Sequence, residues 1–162
     1  MRTATAAREE TREVLVFVLG KEEYGVDILK VQEIRGYEKV TPIPSAPDYL
    51  KGVVNLRGVI VPVIDMRVKF RLPEVRYDSF TVVVILRIAG RVIGIVVDGV
   101  SDVVRFAESA VKAAPQLGAL VDSSFLDGVA TQDDRMVLLV DIEKLLSSGE
   151  LNLLRQVTEA AS

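Results

Sequence analysis

The sequence predicts a mainly β protein folded as two similar small barrel lobes, and three observations carry that prediction. A long motif occurs twice. Leu50-Lys51-Gly52-Val53, then Arg57-Gly58, then Val59 through Met66 return as Leu126-Asp127-Gly128-Val129, Asp133-Asp134 and Arg135 through Ile142, with Gly52 matching Gly128 and Asp65 matching Asp141 without a gap. A second pair lies upstream. Tyr24-Gly25-Val26-Asp27-Ile28 resembles Ile93-Gly94-Ile95-Val96-Val97, and each is followed by an apolar and acidic stretch, Val31-Gln32-Glu33-Ile34 and Val100-Ser101-Asp102-Val103. Finally, short β-branched runs alternate with turn signals at regular spacing, which favours closed barrels over a helix bundle. Two similar lobes leave a groove between them, and such a groove suits a partner better than a buried reaction centre.

In chain order, residues 1–12 form a loose polar tail. Val14 to Leu19 is a strand, and Gly20-Lys21-Glu22-Glu23 turns it into a second strand, Tyr24 to Asp27. Ile28, Val31 and Ile34 lie at helical spacing, which predicts a short helix ended by Gly36. The segment Thr41 to Pro47 carries three prolines and is extended, because proline lacks the amide donor and clashes with a preceding helical turn. Val53 to Leu56 and Val59 to Ile64 form a hairpin around Arg57-Gly58, and Pro62 places an edge or a bulge within it. Met66 to Phe70 is a short helix. The polar stretch Leu72 to Ser79 is the expected lobe boundary.

Phe80 to Ile88 and Arg91 to Val97 make a third hairpin, Val100 to Phe106 continues as strand, and Ala107 to Gly118 is loop. Val129 to Gln132 and Met136 to Val140 make the last hairpin, followed by a short helix over Ile142 to Leu146. Leu151, Leu154 and Val157 share one face of a C-terminal helix. The expected division is a domain over 13–147, with one lobe at about 13–72, a second at about 79–147 and strands free to cross between them, followed by a helix or tail over 148–162.

Composition excludes several function classes. The chain has 162 residues, of which 49% are apolar and 27% charged, enough for a sizeable core. It has no cysteine and no histidine, so thiolate chemistry, disulfides, the usual neutral-pH base and the commonest metal ligand are absent. The net charge of −3 is spread along the chain and gives no basic footprint for nucleic acid. Aromatic residues are 6%, too sparse for a base-stacking groove. The N-terminal stretch lacks the apolar core of a secretory signal, and no run approaches the roughly 20 apolar residues of a membrane span. Asp65 and Asp141 could be imagined as a hydrolytic carboxylate pair, but Asp at a strand end before a short helix is more simply an N-cap. Gly90-Arg91-Val92-Ile93-Gly94 is a hairpin and not a dinucleotide fingerprint. No cofactor or metal is expected.

Four ordered blocks resemble the CheW family of chemotaxis coupling proteins: Glu23 through Tyr37, Lys51 through Pro62, Val92 through Val103, and Asp134 through Leu146. The resemblance covers roughly residues 13–147. It implies two SH3-like five-stranded β-barrel lobes around a shared core. It also implies a cytoplasmic, non-enzymatic adaptor that links the tips of methyl-accepting chemoreceptors to the regulatory domain of the histidine kinase CheA. Such adaptors alternate with the kinase in rings within receptor arrays, where other CheW copies are further expected partners, and the length of the chain fits the stand-alone adaptor. A paralogous adaptor of a non-flagellar array fits equally.

By the same resemblance, the receptor-facing residues are Val31, Glu33, Arg57, Gly94 and Val100, and the kinase-facing residues are Ile28, Gly52, Val82 and Val83. Taken alone, Arg57 is a solvated turn arginine. In the family this Asn-Leu-Arg-Gly turn lines the receptor groove, where a planar guanidinium suits a helix carrying carboxylates or exposed carbonyls. Glu33 is expected to complement a basic group on the partner or to orient Arg57. Ile28, Val31 and Ile34 are first of all core residues. Val82, Val83 and Val84 alternate across a strand, which leads us to expect an outward valine there. A side chain at Gly52 or Gly94 is expected to misfold the chain or block the groove.

Overall fold

The structure, a computed structural model, describes residues 10–113, 125–146, 150 and 152–156. In chain order its elements are β1 (Thr11–Leu19), β2 (Glu22–Asp27), a 3-10 turn (Ile28–Lys30), β3 (Val31–Gly36), β4 (Leu50–Leu56), β5 (Val59–Asp65) and α1 (Met66–Lys69). Then come β6 (Val82–Ile88), β7 (Arg91–Val97), β8 (Gly99–Ala107), a 3-10 turn (Glu108–Ala110), β9 (Val111–Lys112), β10 (Leu126–Gln132), β11 (Arg135–Val140) and α2 (Ile142–Leu145). The second half repeats the order of the first, a hairpin, a third strand, a second hairpin and a short helix, with the 3-10 turn after the third strand instead of before it and one additional short strand, β9.

The halves do not fold separately. One sheet has the order β8-β1-β2-β11-β10-β9 and the other β3-β6-β7-β5-β4. Each half therefore lends its first hairpin to the other half's sheet. The β1–β2 hairpin sits between β8 and β11, and β6–β7 sits between β3 and β5. The same parallel junction closes both insertions, Leu139 opposite Gly25 in one sheet and Val63 opposite Gly94 in the other. The two sheets have five and six strands where five each were expected. The extra strand is the two-residue β9, which pairs Lys112 with Val129 inside a stretch expected to be loop. Its counterpart in the other sheet is the single bridge between Thr41 and Val53.

Residues 28–36 depart from the helix expected of them. Asp27 caps one 3-10 turn by accepting from the Leu29 amide, and the chain then extends as β3 along β6. Burial along β3 alternates with period two, so the apolar spacing that suggests a helix belongs to a turn followed by a strand. Pro62 is accommodated as a local edge. It pairs with Val53 of β4, while the parallel ladder to β7 begins only at Val63.

Three apolar clusters explain the architecture. A central one includes Leu15, Phe17, Leu19, Ile64, Met66, Leu86, Ile95 and Ile142, and so joins both sheets. Two smaller clusters lie on the opposite faces of the sheets. One gathers Val14, Val16, Phe106, Ala130, Val137 and Leu139, and the other Leu56, Val61, Val63, Val83, Ile85 and Val96. Each sheet thus curls around its own core while its other face joins the shared one. Each fully buried aliphatic side chain contributes about 1.5–3 kcal/mol of transfer free energy. Leu154 is buried in the central cluster, while Leu151 and Val157 lie outside the described residues.

Candidate partner-binding surface

Arg57 stands at the tip of the β4–β5 hairpin. It and Gly58 have φ values of 53° and 89°, the paired positive values of a two-residue type I′ turn. The Asn55 side chain accepts from the Gly58 amide at 2.8 Å and fixes the turn. The Arg57 side chain is 64% exposed, and its Nη2 donates to Glu33 Oε2 at 2.8 Å. Arg35 Nη1 donates to Glu33 Oε1 at 3.2 Å. β3 and β4 are the two outer strands of their sheet. The Glu33–Arg57 pair therefore joins the two ends of the curl, above a small pocket lined by Arg35, Val40, Val54, Leu56, Val83 and Ile85. The Arg57 hydrogen bond, more than that of Arg35, holds the Glu33 carboxyl below the usual range. Of the two roles open to Glu33, orienting Arg57 is present in the structure.

The remaining residues singled out from the sequence fall in two other places. Ile28, Val31, Val82 and Val100 are half-buried and pack against the central cluster. Gly52, Val83 and Gly94 are buried. β6 has no outward valine face, because Val83 and Ile85 enter one small core while Val84 and Leu86 enter the central one. At Gly52, φ is +148° and a Cβ would lie 2.1 Å from the Thr41 carbonyl oxygen. At Gly94 a Cβ would lie 2.8 Å from a Val83 methyl. Both glycines act through the shape of the sheet. Large exposed apolar side chains of this sheet include Val59, which follows the Arg57-Gly58 turn, and Ile34 on β3.

Reading the sequence missed a buried ionic cluster. Arg67, fully buried, donates from Nε to Asp65 Oδ1 at 2.7 Å, from Nη1 to Asp98 Oδ1 at 2.7 Å and from Nη1 to the Arg76 carbonyl at 2.8 Å. Tyr77 donates its hydroxyl to Asp65 Oδ2 at 2.5 Å, and its ring lies 4.9 Å from the Arg67 guanidinium carbon. Burial pushes the Asp65 carboxyl up, but hydrogen bonds from Arg67 and Tyr77 outweigh it and leave the group below its ordinary value. The cluster ties the crossover between the halves to both of them. The signal for it was a lone arginine inside the apolar run from Val59 to Phe70.

Asp65 and Asp141 are both helix caps, as their positions suggest, accepting from the amides of Arg67 and Glu143 respectively. Both oxygens of Asp65 are committed to Arg67 and Tyr77. Among the described residues, no group of acidic side chains could hold a metal ion, and no helix is long and apolar enough to cross a membrane.

A family model described as the CheW-like domain matches residues 13–150. The chain belongs to the CheW-like family. It is 54% identical over 149 residues to the chemotaxis protein CheW of Klebsiella aerogenes, covering 92% of this chain and 90% of that protein. It is 34% identical over 157 residues to the chemotaxis protein CheW of Treponema pallidum, covering 94% and 92%. Its fold matches the crystal structure of the scaffolding protein TtCheW from Thermoanaerobacter tengcongensis with a TM-score of 0.80 and 30% identity, over 87% of this chain and 96% of that one. The two curled sheets are thus those of a CheW-like chemotaxis adaptor, a family of scaffolds.

Proposed function

We propose that the chain is a non-enzymatic adaptor that couples methyl-accepting chemoreceptors to the histidine kinase CheA, binds both at once, and supports kinase activation and array assembly. In this reading it works in the cytoplasm and is recruited to membrane-bound arrays through its partners. The observation that carries the proposal is Arg57, an exposed guanidinium held by a rigid type I′ turn and braced by Glu33 above an apolar floor. A braced guanidinium loses little freedom when it meets a carboxylate or carbonyl on a receptor helix. In this reading the receptor face centres on Glu33 and Arg57, with Val31 and Val100 half-buried and Gly94 acting through the shape of the sheet, and the kinase face involves the half-buried Ile28 and Val82, with the buried Gly52 and Val83 supporting it from beneath.

The test is co-sedimentation with membranes carrying chemoreceptors, with and without CheA, while kinase autophosphorylation is read in the same tube. Receptor-dependent sedimentation with a rise in kinase activity is expected. A folded protein that binds neither partner overturns the proposal.

A further inference from the structure

The reciprocal loan of hairpins makes most of the tertiary structure an interface between the two halves of one chain. The ladders β1–β8, β2–β11, β3–β6 and β5–β7 all pair a strand from the first half with one from the second. One covalent segment joins the halves, the crossover from Phe70 to Thr81, and residues 73–80 of it are exposed. Its attachments gather at its two ends and at the Arg67 cluster: Phe70 packs against Tyr24 and Phe125, Leu72 lies on the central cluster, Tyr77 packs on Tyr37, and the Thr81 carbonyl accepts from the Tyr37 amide. The Leu72 amide donates to the Arg67 carbonyl at 2.9 Å, Arg67 holds the Arg76 carbonyl, and Tyr77 holds Asp65. Fully extended, these twelve residues reach roughly 40 Å. None of the pairings between halves depends on the halves belonging to the same chain.

We propose that two copies of this chain exchange halves, the first half of each completing the second half of the other with the crossover extended between them. The exchanged dimer keeps every ladder of the monomer and gives up only the crossover's own contacts, so the choice between the two forms is set by concentration and by the hinge. Arg67 keeps its bonds to Asp65 and Asp98 in both forms, because those residues belong to the two halves and not to the crossover. The dimer presents two Glu33–Arg57 faces on one particle, which raises the effective concentration at a clustered partner.

The chain has no cysteine, so introduced thiols report without background. Glu13 on β1 and Arg105 on β8 are exposed, directly opposed and in different halves. Full-length Glu13→Cys and Arg105→Cys chains carrying tags of different size are unfolded together, refolded over a range of concentrations and oxidised. The expected result is a disulfide-linked heterodimer whose share rises with concentration, and rises several-fold more when residues 73–76 are deleted from both chains. Glu13→Cys alone should give no linked dimer, since the two Glu13 positions of an exchanged dimer lie in different sheets. The proposal is overturned if a chain carrying both Glu13→Cys and Arg105→Cys closes its bridge within itself while the mixed single variants give no heterodimer at any concentration. Equal linkage in the Glu13→Cys control, or a hinge-shortened variant that light scattering finds wholly monomeric, overturns it as well.

Discussion

The two halves of the molecule have the same skeleton but divide its duties unequally. Each has a bulge at a glycine near the start of its second hairpin, between Leu50 and Gly52 in one and between Leu126 and Gly128 in the other. Each has an aspartate that closes the hairpin, with its amide donating at 2.8 Å to the carbonyl of Tyr49 or Phe125. Each bonds an acid on its third strand to an arginine at the hairpin end, Glu33 to Arg57 and Asp102 to Arg135. The difference lies in what surrounds these shared parts. Asp65 sits in a buried ionic cluster that anchors the crossover, while Asp141 caps a helix at a half-exposed position. Arg57 is an exposed side chain with one partner, while Arg135 is half-buried between Glu23 and Asp102. Duplication supplied a common frame, and the environment decides which copy of each residue is structural and which is left free to meet a partner.

The glycine pair gives the largest contrast. At Gly52 an alanine meets a backbone carbonyl oxygen at 2.1 Å and must hold φ at +148°. At Gly128 the nearest atom is the Lys112 carbonyl oxygen at 2.8 Å. Gly52→Ala is expected to destabilise by about 4 kcal/mol and Gly128→Ala by about 2 kcal/mol, on the scale of backbone strain and overpacking. Urea unfolding of the two variants measures this. Equal losses would mean that the tighter approach at Thr41 is relieved at no cost.

The aspartate pair comes next. Asp65→Asn leaves the buried Arg67 charge with Asp98 as its remaining carboxylate, and about 3 kcal/mol of destabilisation is expected. Asp141→Asn keeps a good cap and should cost only a few tenths of a kcal/mol. The pH dependence sharpens the contrast. The folded Asp65 carboxyl titrates below its unfolded value of about 3.9, so its contribution is full above that pH and is lost as pH falls through the folded value. The stability gap between wild type and Asp65→Asn should therefore be constant from neutrality to about pH 4 and narrow below it. A gap that narrows on raising pH above neutrality would contradict the assignment.

Much of this was legible in the sequence because the signals were local and duplicated. The hairpins, the capping aspartates and the Arg57 turn follow from β-branched runs, Asp before a short apolar segment, and an Asn-Leu-Arg-Gly turn. The exchange of hairpins was not legible, since the apolar runs of β1 and β6 are buried on both faces and carry no mark of which strand lies beside them. The 28–36 segment misled because a 3-10 turn followed by a strand places Ile28, Val31 and Ile34 at the spacing of a helix. Arg67 stayed hidden because Asp65, two residues away, reads simply as a helix cap, while Asp98 reaches it only through the parallel pairing of β5 with β7 and Tyr77 only through the crossover. Arg135 lies between the expected turn at Asp133-Asp134 and the strand from Met136, and the two acids it binds come from the distant β2 and β8.

The arginine pair has the smallest expected effect on stability and the most direct bearing on function. Arg57→Ala removes an exposed side chain whose turn geometry is kept by Asn55 and Gly58, so the unfolding midpoint should hardly move. Arg135→Ala removes a bidentate contact to Glu23 and leaves Glu23 and Asp102 facing each other across the strands, at a cost of about 1 kcal/mol. Binding to receptor-bearing membranes should reverse that order. If the exposed arginine is the one that meets a partner, Arg57→Ala weakens receptor binding about tenfold, the equivalent of one charge-assisted hydrogen bond, while Arg135→Ala leaves it unchanged. Glu33→Gln should give an intermediate loss, because it frees the Arg57 head from its brace without removing it. Sedimentation titrations of the three variants, each shown folded by its unfolding midpoint, decide the matter. Equal binding by wild type and Arg57→Ala would move the receptor face off this turn, and a loss confined to Arg135→Ala would move it to the other half.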